Sequence, residues 1–211
     1  MLGKLFSITA IAVTSMSAQA DFVNTEVPSW QGSAGAQFYS WDSFSSPYGA
    51  PNFNDGGDAG GLLFNFAQGA MVTEGGDLYN PTAGLNIHVY GYGPLEQAVL
   101  NIASMGTEFD YSSVVLGINN GTGYEYYGYD SAATNYYEEV PFFGANANTS
   151  FTWDISEYEG TITEWAFIFT GQGPHNVLDA VTVDIFNSTV PAPGVLALLG
   201  LGAVATRRRR R

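Results

Sequence analysis

Three groups of side chains in this chain are of types that do chemistry. The first is the loop PNFNDGGDAGG, Pro51 to Gly61, where Asn54, Asp55 and Asp58 stand among glycines. A hard cation such as calcium takes carboxylate, amide and carbonyl oxygens as ligands, and glycine lets the backbone wrap the ion. Asn54, Asp55 and Asp58 are therefore candidate calcium ligands, although their spacing is not that of an EF-hand. Asn and Asp also close turns by bonding to their own backbone, so a plain turn is the competing reading. The second group is aromatic. The stretch GTGYEYYGYDSAATNYYEEV, Gly121 to Val140, holds six tyrosines. Rings such as Tyr124, Tyr126 and Tyr129, exposed on a sheet, would form a platform for stacking on sugars, with carboxylates bonding the hydroxyls. The alternative is a polar sheet edge in which tyrosine satisfies strand propensity and keeps its hydroxyl wet. The third group is titratable: His88, His175, and the close carboxylate pairs Glu138/Glu139 and Glu157/Glu159. No serine-nucleophile motif accompanies the histidines. Glycoside hydrolysis would require two carboxylates facing across a cleft, and close pairs are expected by chance among 20 acidic residues.

Charge narrows the chemistry further. Every basic residue lies at an end, Lys4 and Arg207 to Arg211, whereas all 20 acidic residues fall between Asp21 and Asp184. Nucleic-acid binding needs basic side chains against phosphate, and phosphoryl-transfer sites lean on Lys or Arg. Both classes are excluded. The carboxylates have no Lys or Arg partner within the body, so they stand in water, take up protons, or share divalent ions. If calcium bridges them, chelation at matched ionic strength should lower the melting temperature. There is no cysteine, which excludes thiol catalysis, thiolate metal sites and attachment of lipid through cysteine.

The elements that must position these groups are strands. LNIHVYG (85–91), SVVLGIN (113–119), SFTWDIS (150–156), EWAFIFTG (164–171) and AVTVDIFN (180–187) alternate apolar and polar residues, the period of a half-buried antiparallel strand. In EWAFIFTG both faces read as buried. AQFYSW (36–41), GLLFNF (61–66) and AVLNIAS (98–104) are further strand candidates. NDGGDAGG, EGGD, YGYGP, NNGTG and GQGP punctuate them as turns. Many short strands without an amphipathic helix predict an all-β fold, an antiparallel β-sandwich or jelly roll in a single domain over 21–189.

The two ends read as processing signals. Lys4, the apolar run LFSITAIAV and the small residues Ala18 and Ala20 compose a signal peptide over 1–20. At the other end Val190, Pro191, Ala192, Pro193 and Gly194 precede an apolar segment, 194–206, and then Arg207, Arg208, Arg209, Arg210 and Arg211. As a helix at about 1.5 Å per residue, the 13 to 17 residues between Val190 and Thr206 span roughly 20–25 Å, short of a full hydrocarbon core but enough for transient insertion into a thinned bilayer. The arginines resist crossing and hold the C-terminus in the cytoplasm. Pro191 and Pro193 keep the strip before the helix extended.

The ending VPAP, GVLALLGLGAVAT, RRRRR resembles the PEP-CTERM sorting signal of exported bacterial proteins, with Pro-Ala-Pro in place of the usual Pro-Glu-Pro. That resemblance implies recognition by an exosortase, a membrane cysteine transpeptidase that removes the tail near the prolines. It implies delivery to the cell surface or an extracellular polysaccharide matrix of a Gram-negative bacterium. WQGSAGAQFYSWDSFSSPYGAPN (30–52) is similar to the opening of a group of PEP-CTERM proteins through Trp30, Gly32, Trp41 and Asp42, a likeness that implies no activity. The expected protein is an exported surface or matrix protein with a structural or adhesive role and no catalysis. Its expected partners are signal peptidase and exosortase, with extracellular polysaccharide as a further one. A calcium-dependent carbohydrate-binding module is the alternative, and a glycosidase or polysaccharide lyase a more remote one.

Overall fold

In EWAFIFTG the rings of Trp165, Phe167 and Phe169 project to one side of an extended backbone and are fully buried, while Glu164, Ile168 and Thr170 project to the other and are only partly covered. The same alternation recurs along the chain and builds two antiparallel sheets with their apolar sides sharing one core. A computed structural model describes residues 24–188. The signal peptide (1–20), the Ala18 and Ala20 site, the sorting strip Val190 to Gly194, the segment 194–206 and Arg207 to Arg211 lie outside the described residues.

Fourteen strands and no helix occur among the described residues. The first seven are β1 (Ala36–Trp41), β2 (Asn52–Phe53), β3 (Gly56–Gly57), β4 (Leu62–Asn65), β5 (Met71–Val72), β6 (Leu78–Asn80) and β7 (Asn86–Tyr92). The others are β8 (Gln97–Gly106), β9 (Phe109–Asn119), β10 (Tyr124–Gly128), β11 (Ser131–Val140), β12 (Gly144–Asp154), β13 (Glu164–Gly171) and β14 (Asn176–Phe186). One sheet runs β11-β12-β8-β14-β1-β3, with β6 also on β14 and β5 on β6; the other runs β10-β9-β13-β7-β4-β2. All the pairings are antiparallel. Rings from both sheets meet between them: Trp153 of β12 on Phe167 at 5.1 Å, and Tyr39 of β1 on Trp165 at 5.7 Å. This arrangement is consistent with the expected β-sandwich.

The structure differs from the sequence reading in two places. AVTVDIFN reads as half-buried, yet β14 is covered on both faces, with Thr182 and Asp184 inaccessible on the outer side. The cover is the segment that precedes β1. Glu26 bonds through its N–H and its C=O to the Asn101 side chain, Gln31 donates to Asp184 at 2.7 Å, and Trp30 packs tilted against Phe186. Hydropathy along β14 cannot report an arm contributed from elsewhere in the chain. Secondly, the tyrosine-rich stretch is not one sheet edge. It forms β10 at the margin of one sheet and β11 at the margin of the other.

With no basic side chain to pair, buried polar contacts are made by neutral amides. Asn65 accepts from the N–H groups of Ala67 and Asn86 and donates to the carbonyls of Pro47 and Ala67. Asn52 pins the turn at Ser45 and Ser46 in the same two-sided way, and Asn80 that at Thr82 and Ala83. An amide has both donors and acceptors, so one side chain closes a whole loop without burying charge.

Candidate functional site

The outer side of the sheet containing β13 carries a group of aromatic rings, of which Tyr92 and Tyr126 are exposed. The registers of β4, β7, β13, β9 and β10 align its residues in rows across the strands. One row is Leu62, Tyr90, Ala166, Gly117, Tyr126; its neighbour is Tyr92, Glu164, Asn119, Tyr124. On the other flank lie Phe64, His88, Ile168 and Val115. Tyr92 and Tyr126 are 58% and 60% exposed, more than a packing role needs. Residues two apart along a strand face the same way, so the alternation that buries Trp165 and Phe167 also turns Glu164 and Ala166 outward.

Ring contacts run across this face. Phe64 and Phe66 stack at 5.7 Å with planes 4° apart, Phe66 meets His88 edge-on at 4.9 Å, and His88 stacks on Tyr90 at 6.0 Å. On β10, Tyr124 and Tyr126 lie 6.2 Å apart with planes 21° apart. Gly117 is the seat of that pair. A Cβ there would sit 3.0 Å from Tyr126 Cε1 and 3.1 Å from Tyr124 Cδ1. The missing side chain is what lets both rings approach the strand.

The polar groups of the face are oriented. Glu164 Oε2 accepts from Tyr124 Oη at 3.2 Å and Asn119 Nδ2 at 3.0 Å. Burial, and next the Glu164 carboxylate, push the Tyr124 hydroxyl up to about 12. Burial also lowers His88, and its ring nitrogens lie 3.1 Å from Asn86 Oδ1 and 3.2 Å from Tyr90 Oη.

Of the three tyrosines singled out from sequence, Tyr124 and Tyr126 come together here. Tyr129 does not: it lies between β10 and β11 and packs edge-on against Phe151 at 5.1 Å. Sequence reading missed Phe64, Phe66, Tyr90 and Tyr92. Their signal was the aromatic content on the nominally polar phase of LNIHVYGY and GLLFNF, but which phase faces out is decided by pairing.

Asn54, Asp55 and Asp58 each serve the backbone. Asp55 accepts from the N–H groups of Asp42 and Ser43, Asp58 from that of Phe38, and Asn54 braces Gly56, Asp58 and Gly61. Asn54 and Asp55, without Asp58, border a shallow hollow of about 340 Å³ shared with Phe53 and Gly60. Among the described residues no three His, Cys, Asp or Glu side chains cluster as metal ligands would. A second groove, about 280 Å³, lies at one end of the core beside Leu95, Ile155, Tyr158 and Ile162. Glu138 and Glu139 are consecutive on β11 and so point to opposite sides, while Glu157 and Glu159 occupy the loop before β13. His175 bonds Tyr79 at 2.7 Å, on β6 of the other sheet from His88. Compared with known protein families, curated proteins and solved structures, the chain matches none.

Proposed function

We propose that this is an exported, exosortase-sorted protein of the bacterial surface or extracellular matrix, with an adhesive role. In this reading a jelly-roll-like β-sandwich is carried out of the cell by the N-terminal signal peptide. The C-terminal segment inserts transiently in the membrane, with Arg207 to Arg211 on the cytoplasmic side, until the exosortase cuts near Pro191 and Pro193. The contact with extracellular polysaccharide is made through the aromatic face of β4, β7, β13, β9 and β10. Catalysis forms no part of the role.

The observation that carries the adhesive reading is that exposed face itself. Contiguous exposed aromatic surface is costly in water and marks interaction sites. The segregation of charge supports export, since all basic residues sit in the two terminal signals. Sorting is tested by mass spectrometry of the protein recovered from its own host. A mature C-terminus close to Pro193, with Gly194 to Arg211 removed, is the expected result, and an intact arginine tail on the surface-exposed protein overturns exosortase processing. Adhesion is tested by fractionation: Tyr126→Ala should move protein from the matrix to the medium, and unchanged retention refutes this face as the adhesive one.

A further inference from the structure

The chemistry of this face selects among polysaccharides, an inference that rests on the adhesive reading above. We infer that the aromatic face binds a neutral polysaccharide whose sugar rings present flat C–H faces, as β-1,4-linked glucose units do, and that Gly117 is a positioning residue for the rings that bind it.

Charge is the first argument. An acidic polysaccharide carries carboxylates or sulfates, and a protein site for them uses Lys, Arg or a bound cation. No Lys or Arg occurs anywhere between Asp21 and Asp184, where all 20 acidic residues lie. The one acidic side chain in the row beside Tyr126 is Glu164, whose carboxyl oxygen is an acceptor for Tyr124 and Asn119. A uronate laid on this face meets repulsion, whereas a sugar hydroxyl meets an acceptor. His88 is held toward its neutral form by burial and offers no compensating charge.

Ring geometry is the second. Tyrosine has an electron-rich face, which suits the weakly positive C–H bonds on a flat sugar ring. The partly exposed Tyr90 and the exposed Tyr126 lie in one row, separated only by Ala166 and Gly117, the smallest residues of that row. Three strand spacings of about 4.8 Å place their backbones roughly 14 Å apart, and the two small residues between them are buried. Glu164 and Asn119 stand in the adjacent row, with Glu164 already oriented by the Tyr124 hydroxyl. Gly117 sets ring height: both Tyr124 and Tyr126 approach where its side chain would be.

The experiment is isothermal titration of the full chain, as its host exports it, with cellohexaose and separately with hexagalacturonate, without divalent cations. Saturable binding of cellohexaose, and none of hexagalacturonate, is expected. Tyr126→Ala should weaken that binding about threefold to tenfold, as loss of one aromatic contact does. Gly117→Val, which keeps every ring and displaces two, should weaken it by a similar factor, with near-UV circular dichroism checking the fold. Phe142→Ser, on the β11–β12 turn of the other sheet, should leave affinity unchanged. Comparable, Tyr126-dependent binding of hexagalacturonate overturns the neutral class and leaves the face as the site. Cellohexaose binding that survives both Tyr126→Ala and Gly117→Val overturns the placement. Absence of Tyr126-dependent binding of either sugar overturns the class together with the glycan-binding part of the adhesive reading, while matrix retention remains readable by fractionation.

Discussion

Single residues show how this chain stabilises itself without cations. Asn65 is fully buried and makes four bonds to backbone groups at Pro47, Ala67 and the start of β7, Asn86. Asn65→Asp changes one atom, yet it removes the amide donors and buries a charge. A cost of about 3 kcal/mol or more is expected, measurable by urea denaturation at pH 8 and partly recovered at low pH, where the new carboxyl is neutral. Asp184 is the native counterpart. Burial pushes its carboxyl up to about 6, with the Gln31 hydrogen bond opposing the shift. A carboxyl raised in the fold contributes stability below its ordinary pKa of about 4 and loses it as pH rises through 6. Asp184→Asn should therefore match wild type near pH 4 and melt a few degrees higher at pH 8. Equal melting temperatures at pH 8 would exclude an ionised, destabilising Asp184. Residues that carry the likeness over 30–52 also have structural tasks. Trp30 covers Phe186, Gly32 takes φ 75°, and the fully buried Trp41 donates to the Asn52 carbonyl.

Among the elements, β11 and its turn are the most exposed. The strand is an edge, and edges invite pairing with another chain. Three features blunt it: a bulge between Thr134 and Tyr136, the charges of Glu138 and Glu139, and Pro141 immediately after it. The turn that follows carries Phe142 fully exposed, with φ at 70°, and Phe143 75% exposed. A left-handed conformation costs a residue with a Cβ about 1–2 kcal/mol, offset in glycine by its greater chain entropy. Phe142→Gly should raise stability by about 0.5–1 kcal/mol in chemical denaturation, and any loss would mean that the ring makes contacts the exposed turn lacks. The short strands β2, β3, β5 and β6 were not legible in sequence. At two or three residues each, they carry no periodicity and exist because a longer neighbour offers hydrogen bonds.

At the scale of the molecule, self-repulsion is the dominant electrostatic term, because acidic side chains have no Lys or Arg partner in the body. Screening should therefore stabilise the protein. Raising sodium chloride from about 0.01 M to 1 M shortens the Debye length from roughly 30 Å to 3 Å, and the melting temperature should climb by several degrees. Calcium chloride at the same ionic strength separates screening from binding. An equal rise leaves Asp55 and Asp58 as braces of their loop, whereas a larger one that chelation reverses would establish a calcium site.

By itself the sequence determined the all-β class, the longer strands other than β10 and β11, the acidic body and the confinement of positive charge to the ends. These follow from local periodicity and composition, which need no knowledge of neighbours. Glu164–Gly171 coincides with a strand read directly from alternation, and Ala36–Trp41 with a further strand candidate. The tertiary structure alone decided that β10 and β11 belong to different sheets and that an arm covers β14. It also brought Tyr90 of β7 and Tyr126 of β10 into one row across Ala166 and Gly117. Strand order and register are long-range pairings, set by which apolar faces bury together, and residues distant in the chain become one surface only once those pairings form.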